Sequence, residues 1–324
     1  MTDALRSQLA HTLNETHLEG LGPKYAGKVR DVYDRGDELL IVTTDRVSAF
    51  DRVLGTIPFK GEILTRLALF GFEATRDLVP NHVLGSPDPN VIRAKKCRAF
   101  PVEFVMRAYV TGSLWRDLGS GAAAAYEIDL PSSPVKDGRL PEPVLTPATK
   151  AEQGEHDEPT SRRAIIASGA MTAEQFDRAE EAARALFARG RALAAERGLI
   201  LVDTKYELGL DPNGELVVID EIHTPDSSRY WIASEYEARR SAGQPQRMLD
   251  KENLRAWLMD EKGFSGDGEP PPLDDAVRLM LAERYVEVFE ALTAERFDGT
   301  PGPVEERLRA NLRAAGLLAP NGAP

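Results

Sequence analysis

The chain has 324 residues, of which 42% are hydrophobic and 28% charged, an ordinary mix for a globular protein. Its formal net charge of -12 argues against a nucleic-acid-binding surface, although a local arginine cluster can still bind a small anion. The sequence has no apolar run long enough to cross a membrane, no signal peptide, and Cys97 as its single cysteine. We therefore expect a cytoplasmic protein without disulfides, nucleic acid or membrane contact.

The first part of the chain alternates between helical and strand patterns. Apolar spacing predicts a helix over 3–18, and the apolar runs 29–34 and 38–45 predict a hairpin. Residues 61–78 have a helical pattern, whereas 97–110 carry the aromatic and branched residues typical of a strand.

The second part begins with a proline-rich, polar stretch, 131–163, that predicts a long loop. Thr172 and Gln175 then form a capping-box pattern, which marks the start of a strong helix. The remaining predicted elements are that helix to about Arg197, strands over 199–210 and 216–221, a helix over about 273–294 and a Gly/Pro/Ala tail. Hairpins mixed with helices favour an α+β fold over a regular βαβ wind.

The strand predicted over 199–210 is unusually charged. Because side chains alternate along a strand, Asp203, Lys205 and Glu207 share one face. Such a face is often just solvated, and that interpretation stays open when the strand is considered alone.

The turn predicted after this strand favours a functional role for the charged face. Asn213-Gly214 between two apolar runs predicts a hairpin, and a loop of even length centred there sets Glu207 opposite Asp220. Facing carboxylates roughly 5 Å apart repel unless a cation lies between them, and Mg²⁺ accepts one or two carboxylates plus substrate phosphates. This register predicts a metal clamp under a nucleotide; a loop of odd length would remove the inference.

Glycine-rich residues near the N-terminus also point to phosphate. Residues 22–28 nearly match a P-loop, but Val29 stands where Ser or Thr is required and a strand follows instead of a helix, so we reject that motif. A glycine-rich hairpin over nucleotide phosphates remains open, with Lys28 and Arg30 on one strand face. The alternative is a solvated basic pair.

Two further features bear on the chemistry. Arg229 follows a turn of small hydroxyl residues and is suited to bind an anion, or else packs on the surface beside Tyr230. The sequence contains no HExxH and no GxSxG motif, so covalent catalysis by a protein nucleophile is not expected.

Several segments together resemble the SAICAR synthetase family, with a central loop similar to its longer, yeast-like branch. These segments are GKVRDVY (27–33), TTDRVSAFD (43–51), VEFVMRAYVTGSLW (102–115), LTPATKAEQGEHDE (145–158), LILVDTKYELG (199–209) and VVIDEIHTPDSSRYW (217–231). The resemblance implies a two-lobed α+β fold, similar to kinases and ATP-grasp enzymes. Its nucleotide site would lie between an antiparallel β-rich lobe, 1–105, and a larger α+β lobe, 106–324, that holds the Mg²⁺, CAIR and aspartate sites.

The resemblance also implies a reaction, in which ATP and Mg²⁺ serve to join the carboxylate of carboxyaminoimidazole ribotide (CAIR) to L-aspartate. The products are SAICAR, ADP and phosphate. Activating a carboxylate requires positioning and charge neutralisation more than a protein nucleophile, and the charged segments fit that requirement. A monomer is favoured.

Roles for individual residues follow from the same resemblance. By it, Asp203 and Lys205 lie at the reacting centre, and Glu207 and Asp220 carry Mg²⁺. Nucleotide contacts are implied for Gly27, Lys28, Arg30, Val102, Glu103 and Met106. Contacts with CAIR or aspartate are implied for Ser48, Asp51, Arg107, Ser113, Lys150, His156, Asp157 and Arg229. The 146–158 loop either closes over the site or is a charged linker.

Two other functions compete with the ligase. A phosphotransferase of similar fold would release ADP without forming an amide, and a nucleotide sensor would bind ATP without turnover. The charged hairpin disfavours the sensor, because an unused carboxylate pair costs stability.

Overall fold

The computed structural model describes residues 1–50, 52–150, 158–249, 254, 257–266 and 268–319. Its helices are α1 Thr2–Gln8, α2 Lys60–Thr75, α3 Gly112–Ser120, α4 Arg162–Ala167, α5 Ala173–Glu196, α6 Tyr236–Ser241, α7 Asp275–Thr293 and α8 Val304–Ala314. Its strands are β1 Lys24–Ala26, β2 Arg30–Asp34, β3 Glu38–Thr43, β4 Arg46–Ala49, β5 Arg52–Thr56, β6 Val83–Asp88, β7 Val91–Lys95, β8 Arg98–Val110, β9 Gly138–Thr149, β10 Leu199–Leu210, β11 Leu216–Ile219 and β12 Ser228–Ile232. The predicted α+β class is confirmed. No helix among these described residues is long and apolar enough to cross a membrane.

The chain forms two compact units. One contains 1–70, 82–96 and 250–324, and the other contains 71–81 and 97–249. These units differ from the predicted division at 105/106 for a physical reason. All of β8 belongs to the second unit, where it pairs with β10 and β9, and the C-terminal helices cluster with the N-terminal sheet.

The first unit is built on an antiparallel sheet in the order β1-β2-β3-β7-β6, with β4 and β5 as a separate ribbon. Its core includes Val304, Leu308 and Leu312, spaced four apart on one face of α8. The stretch predicted only as a Gly/Pro/Ala tail therefore contains a helix, because this spacing buries one face of it.

The N-terminal helix is shorter than the predicted 3–18, although a single 3₁₀ turn follows α1. Two buried carboxylates capture the backbone beyond it. Asp45 Oδ2 accepts the Leu13 N–H at 2.7 Å, and Asp31 Oδ2 accepts the Thr16 N–H at 2.7 Å. These side-chain bonds replace the helical hydrogen bonds that the apolar spacing alone predicted.

The second unit is built on the sheet β11-β10-β8-β9, and β12 pairs with the first half of β10. Helix α5 has the predicted capping box at Thr172 and Gln175, and it buries Phe176 and Phe187. The predicted loop 131–163 was wrong in part, because β9 lies within it and pairs with β8. Its prolines are tolerated because β9 is the edge strand of the sheet.

The register of the β10–β11 hairpin corrects another prediction. Five residues, 211–215, connect the strands, so Glu207 pairs with Ile219 and not with Asp220. Asp211 explains the extra residue, since its side chain accepts the N–H groups of Asn213 at 2.8 Å and Glu215 at 3.1 Å. The even-length turn expected from Asn213-Gly214 is thus displaced by a wider loop.

Candidate active site

The middle of β10 brings together two charged clusters within the second unit. Because β8 lies on one side of this strand and β12 on the other, residues from three strands surround Asp203. The alternation predicted from the sequence carries Lys205 and Glu207 further along the same strand.

The first cluster, Arg107–Asp203–Arg229, crosses the sheet in Cα register. Asp203 Oδ2 accepts hydrogen bonds from Arg107 Nη1 at 3.1 Å and from Arg229 Nη1 at 2.6 Å. Arg107 also donates to Thr146 Oγ1 at 2.7 Å and to Ser113 Oγ at 2.7 Å. One carboxylate between two guanidinium groups leaves excess positive charge, which suits this cluster to bind an anion.

The second cluster is a chain of ion pairs around Lys205. Its Nζ lies 2.8 Å from Glu103 Oε1 and 2.7 Å from Glu207 Oε1. Glu207 also accepts a hydrogen bond from Lys150, which places the predicted substrate residue Lys150 in this cluster.

Electrostatics fix the charge states in the Lys205 cluster. Burial lowers the pKa of Lys205, but the charges of Glu207, Glu103 and Asp220 outweigh burial and raise its pKa well above the ordinary value. Burial raises the pKa of Glu207, whereas Lys205 and Lys150 outweigh it and lower the pKa to about 2. At neutral pH Lys205 is therefore a fixed cation rather than a general base.

The strand-register argument for the metal site was wrong, whereas Glu207 and Asp220 as metal ligands stay a prediction. The carboxylates that face each other across a strand pair are Glu207 and Glu103, with the Lys205 ammonium between them. Asp220 follows the end of β11 with a left-handed φ of 64°, and its charge acts on Lys205. Across the described part of the chain, no group of three or more His, Cys, Asp or Glu side chains is placed to hold a metal ion.

Residues 221–227, between β11 and β12, form a mostly buried turn in which the sequence predicted no functional residue. Thr224 Oγ1 donates to Glu221 and accepts the Ser227 N–H at 3.3 Å, so the turn holds its own backbone. His223 has a left-handed φ of 57°, and its Nε2 lies 2.7 Å from the Tyr206 hydroxyl of β10. The dense run of Thr, Pro, Asp and Ser residues was the available signal.

His223 makes this turn sensitive to acid. Burial lowers the pKa of His223 to about 3, so below pH ~6.5 the unfolded chain binds a proton that the folded chain refuses. Above pH ~6.5 His223 is neutral in both states and does not lower the free energy of unfolding. As the pH falls toward 3, proton uptake by the unfolded chain lowers that free energy by an amount on the order of 4 kcal/mol. Thermal midpoints of His223→Gln should therefore fall less steeply with acid than those of the wild type. Exposed His11→Gln is the control, and equal slopes in all three proteins would contradict the prediction.

The first unit holds a further group of predicted site residues. Gly27 and Lys28 lie in the turn between β1 and β2, Arg30 begins β2, and Ser48 lies half-buried on β4. Gly27 N–H donates to the Arg30 carbonyl at 2.7 Å, which closes the turn.

Some residues that the sequence predicted to bind ligands belong to neither charged cluster. The side chains of Val102 and Met106 are buried within the second unit, so their adenine-lining role stays a prediction. Asp51, His156 and Asp157 lie outside the described residues.

Comparison with known proteins decides the family. The sequence profile of SAICAR synthetase matches residues 23–270. The chain belongs to the SAICAR synthetase family. A phosphoribosylaminoimidazole-succinocarboxamide synthase of Legionella pneumophila is 46% identical over 307 residues, which cover 93% of this chain and 97% of that protein.

Solved structures of the SAICAR synthetase family agree with the fold. The SAICAR synthase of Saccharomyces cerevisiae, complexed with SAICAR, is 29% identical with a TM-score of 0.77, over 89% of this chain and 100% of that one. A type-2 SAICAR synthetase in complex with ADP is 26% identical with a TM-score of 0.65, over 86% of this chain and 100% of that one. The predicted family is confirmed.

Proposed function

We infer that this chain is an ATP-dependent ligase that joins the carboxylate of CAIR to L-aspartate, giving SAICAR, ADP and phosphate in de novo purine biosynthesis. Family membership over 23–270 carries this conclusion. The charged clusters of β10 support it, because both substrates are anionic and the reaction needs fixed positive charge.

In this proposal the Arg107–Asp203–Arg229 cluster binds the phosphate or carboxylates of CAIR together with Ser113. Asp203 orients both guanidinium groups, since its Oδ2 accepts a hydrogen bond from each. Lys205 supplies fixed positive charge at the reacting centre, and Ser48 and Asp51 border the CAIR site. Lys150, His156 and Asp157 close over the site or hold aspartate.

The remaining proposed contacts are with the nucleotide. Gly27, Lys28 and Arg30 contact ATP phosphates, and Val102, Glu103 and Met106 line the adenine. The carboxylates beside Lys205 are oxygen donors of the kind that Mg²⁺ prefers, so the residues fit the ion. Glu207 and Asp220 would hold it, and the ion would neutralise phosphate charge when bound.

The setting of the enzyme is also part of the proposal. A single cysteine and a net charge of -12 fit a cytoplasmic enzyme that acts on small molecules and not on nucleic acid. We propose that it works as a monomer, and sedimentation of the purified protein tests this.

Product analysis tests the ligase directly. The purified protein is given ATP, Mg²⁺ and CAIR, with and without L-aspartate, while ADP and SAICAR are followed together. ADP and SAICAR that form together only with aspartate support the ligase. ADP without SAICAR would indicate a phosphotransferase or ATPase, and ATP binding without turnover would indicate a sensor.

Gly112 offers a test of the CAIR site. This residue begins α3 with a φ of +59°, and a Cβ there would lie 2.4 Å from Arg229 Nη1. We expect Gly112→Ala to displace the Arg229 guanidinium and to raise the KM for CAIR by roughly tenfold or more, with a smaller effect on the KM for ATP. Gly121→Ala is the matched control, because Gly121 has a φ of +84° with no atom within 4 Å of an added Cβ. Equal effects in the two variants would show that backbone strain, not Arg229, is responsible.

A further inference from the structure

Arg46 of β4 is a buried arginine to which neither the sequence patterns nor the proposed function assigns a role. Its side chain is 8% exposed, and its Nη2 lies 2.8 Å from Asp31 Oδ1. The same guanidinium also binds backbone carbonyls, with Nη2 donating to Gly27 O at 3.0 Å and Nε to Lys28 O at 3.1 Å. A further bond from Nη1 reaches Asn14 O. Arg46 thus ties the β1–β2 turn to the interior of the first unit.

The third carbonyl of this turn is held by a neighbour of Arg46. Val29 O accepts the Thr44 N–H at 3.0 Å and the Thr44 Oγ1 hydroxyl at 2.5 Å. The carbonyls of all three residues between β1 and β2, 27–29, are therefore bound by residues 44 and 46.

This arrangement sets the direction of the turn's N–H groups. In a planar trans peptide the C=O and N–H point to opposite sides, and the described chain contains no cis peptide. Because the Gly27 and Lys28 carbonyls point to Arg46, the N–H groups of Lys28 and Val29 point away from it. Successive N–H groups aimed to one side form the kind of concavity that binds phosphate.

Asp31 keeps Arg46 in this role. It is fully buried, and its other oxygen accepts the Thr16 N–H at 2.7 Å and Oγ1 at 2.8 Å, so it is held in place. The Asp31 carboxylate neutralises the charge of the Arg46 guanidinium and fixes its position, so that its remaining N–H groups donate to the backbone carbonyls.

We propose that Arg46 is a positioning residue for nucleotide phosphate binding, because it holds the 27–29 turn with the N–H groups of Lys28 and Val29 pointing away from Arg46. The inference rests on the proposed function, in which Gly27, Lys28 and Arg30 contact ATP phosphates. Arg46 itself touches no substrate. Its loss therefore weakens phosphate recognition while leaving adenine recognition intact.

Ligand pairs that differ only in phosphate test this role. Calorimetry measures the Kd of ADP and of adenosine for the wild type, Arg46→Lys and Arg278→Lys. Arg278 is the matched control, because its side chain also donates to backbone carbonyls of the first unit, Thr56 O at 2.9 Å and Leu9 O at 3.1 Å. None of these bonds reaches the 27–29 turn. We expect Arg46→Lys to weaken ADP by roughly 10- to 100-fold and adenosine by less than about twofold. Arg278→Lys should change neither.

The outcomes separate the inference from the proposed function. A wild type that prefers ADP over adenosine, with an Arg46→Lys variant that keeps the whole preference, overturns the inference alone. A wild type without that preference overturns the phosphate role of the turn and the inference with it. If Arg46→Lys does not fold, Thr44→Val replaces it; a smaller selective loss of ADP affinity supports the inference, and unchanged ADP affinity overturns it.

Discussion

Replacing Lys205 by methionine should lower turnover by roughly 100- to 1,000-fold, the range expected when one preorganised charge is removed from a reacting centre. Methionine keeps much of the length and volume of the lysine stem, so the packing on β10 changes little. The loss is electrostatic, because the Lys205 ammonium lies between Glu103 and Glu207 and feels the charge of Asp220 as well.

Measurement of kcat and KM for the three substrates tests this role of Lys205. We expect the main loss in kcat, since a fixed charge that acts on the reacting groups stabilises the transition state more than the bound substrate. Lys205→Arg keeps the charge and should retain more activity than the methionine variant. Exposed Lys136→Met is the control, and a Lys205→Met enzyme with near-normal kcat would remove Lys205 from the reacting centre.

The same variant has a distinct acid response. In the wild type Glu207 has a pKa of about 2, so its stabilising contribution is present above its unfolded pKa of 4.5 and is lost as the pH falls toward 2. Without the Lys205 charge the pKa of Glu207 rises, and the stability lost over that acid range becomes smaller. Thermal midpoints across this range distinguish the altered cluster from a merely misfolded protein.

Local patterns predicted much of the fold because they are decided by residues close in the chain. The capping box at Thr172, the β2–β3 hairpin and the charged face of β10 all follow from spacing, and the structure confirms them. The register at Glu207 was beyond such reasoning. Asp211 hydrogen-bonds across its own loop and the connection has an odd length, so Glu207 pairs with Ile219 of β11 instead of Asp220. The pairing of Glu207 with Glu103 lies on the other side of β10, in β8, and does not depend on that turn.

Contacts between distant segments were the other limit. The helix predicted over 3–18 ends early because Asp31 and Asp45, far along the chain, capture its backbone. The sequence assigns no role to Arg46, because a single arginine in a strand has no spacing pattern of its own. Its contacts with Gly27 and Lys28 appear only when the strands are folded together.

Removal of the Arg229 side chain, in Arg229→Ala, should raise the KM for CAIR by roughly 10- to 100-fold while the KM for ATP changes by less than about threefold. Arg229 and Arg107 share Asp203 Oδ2, at 2.6 Å and 3.1 Å. Without Arg229 one guanidinium remains for one carboxylate, so the cluster loses its excess positive charge and with it the attraction for an anionic substrate.

Two companion variants sharpen the Arg229 test. Arg229→Lys keeps the charge but lacks the planar fork, so an intermediate KM for CAIR would show that geometry contributes beyond charge. Arg239→Ala breaks an ion pair with Glu235 elsewhere in the second unit and should leave the KM for CAIR unchanged. If Arg229→Ala binds CAIR as tightly as the wild type, Arg229 does not contact that substrate, and its bond to Asp203 serves only to join β12 to β10.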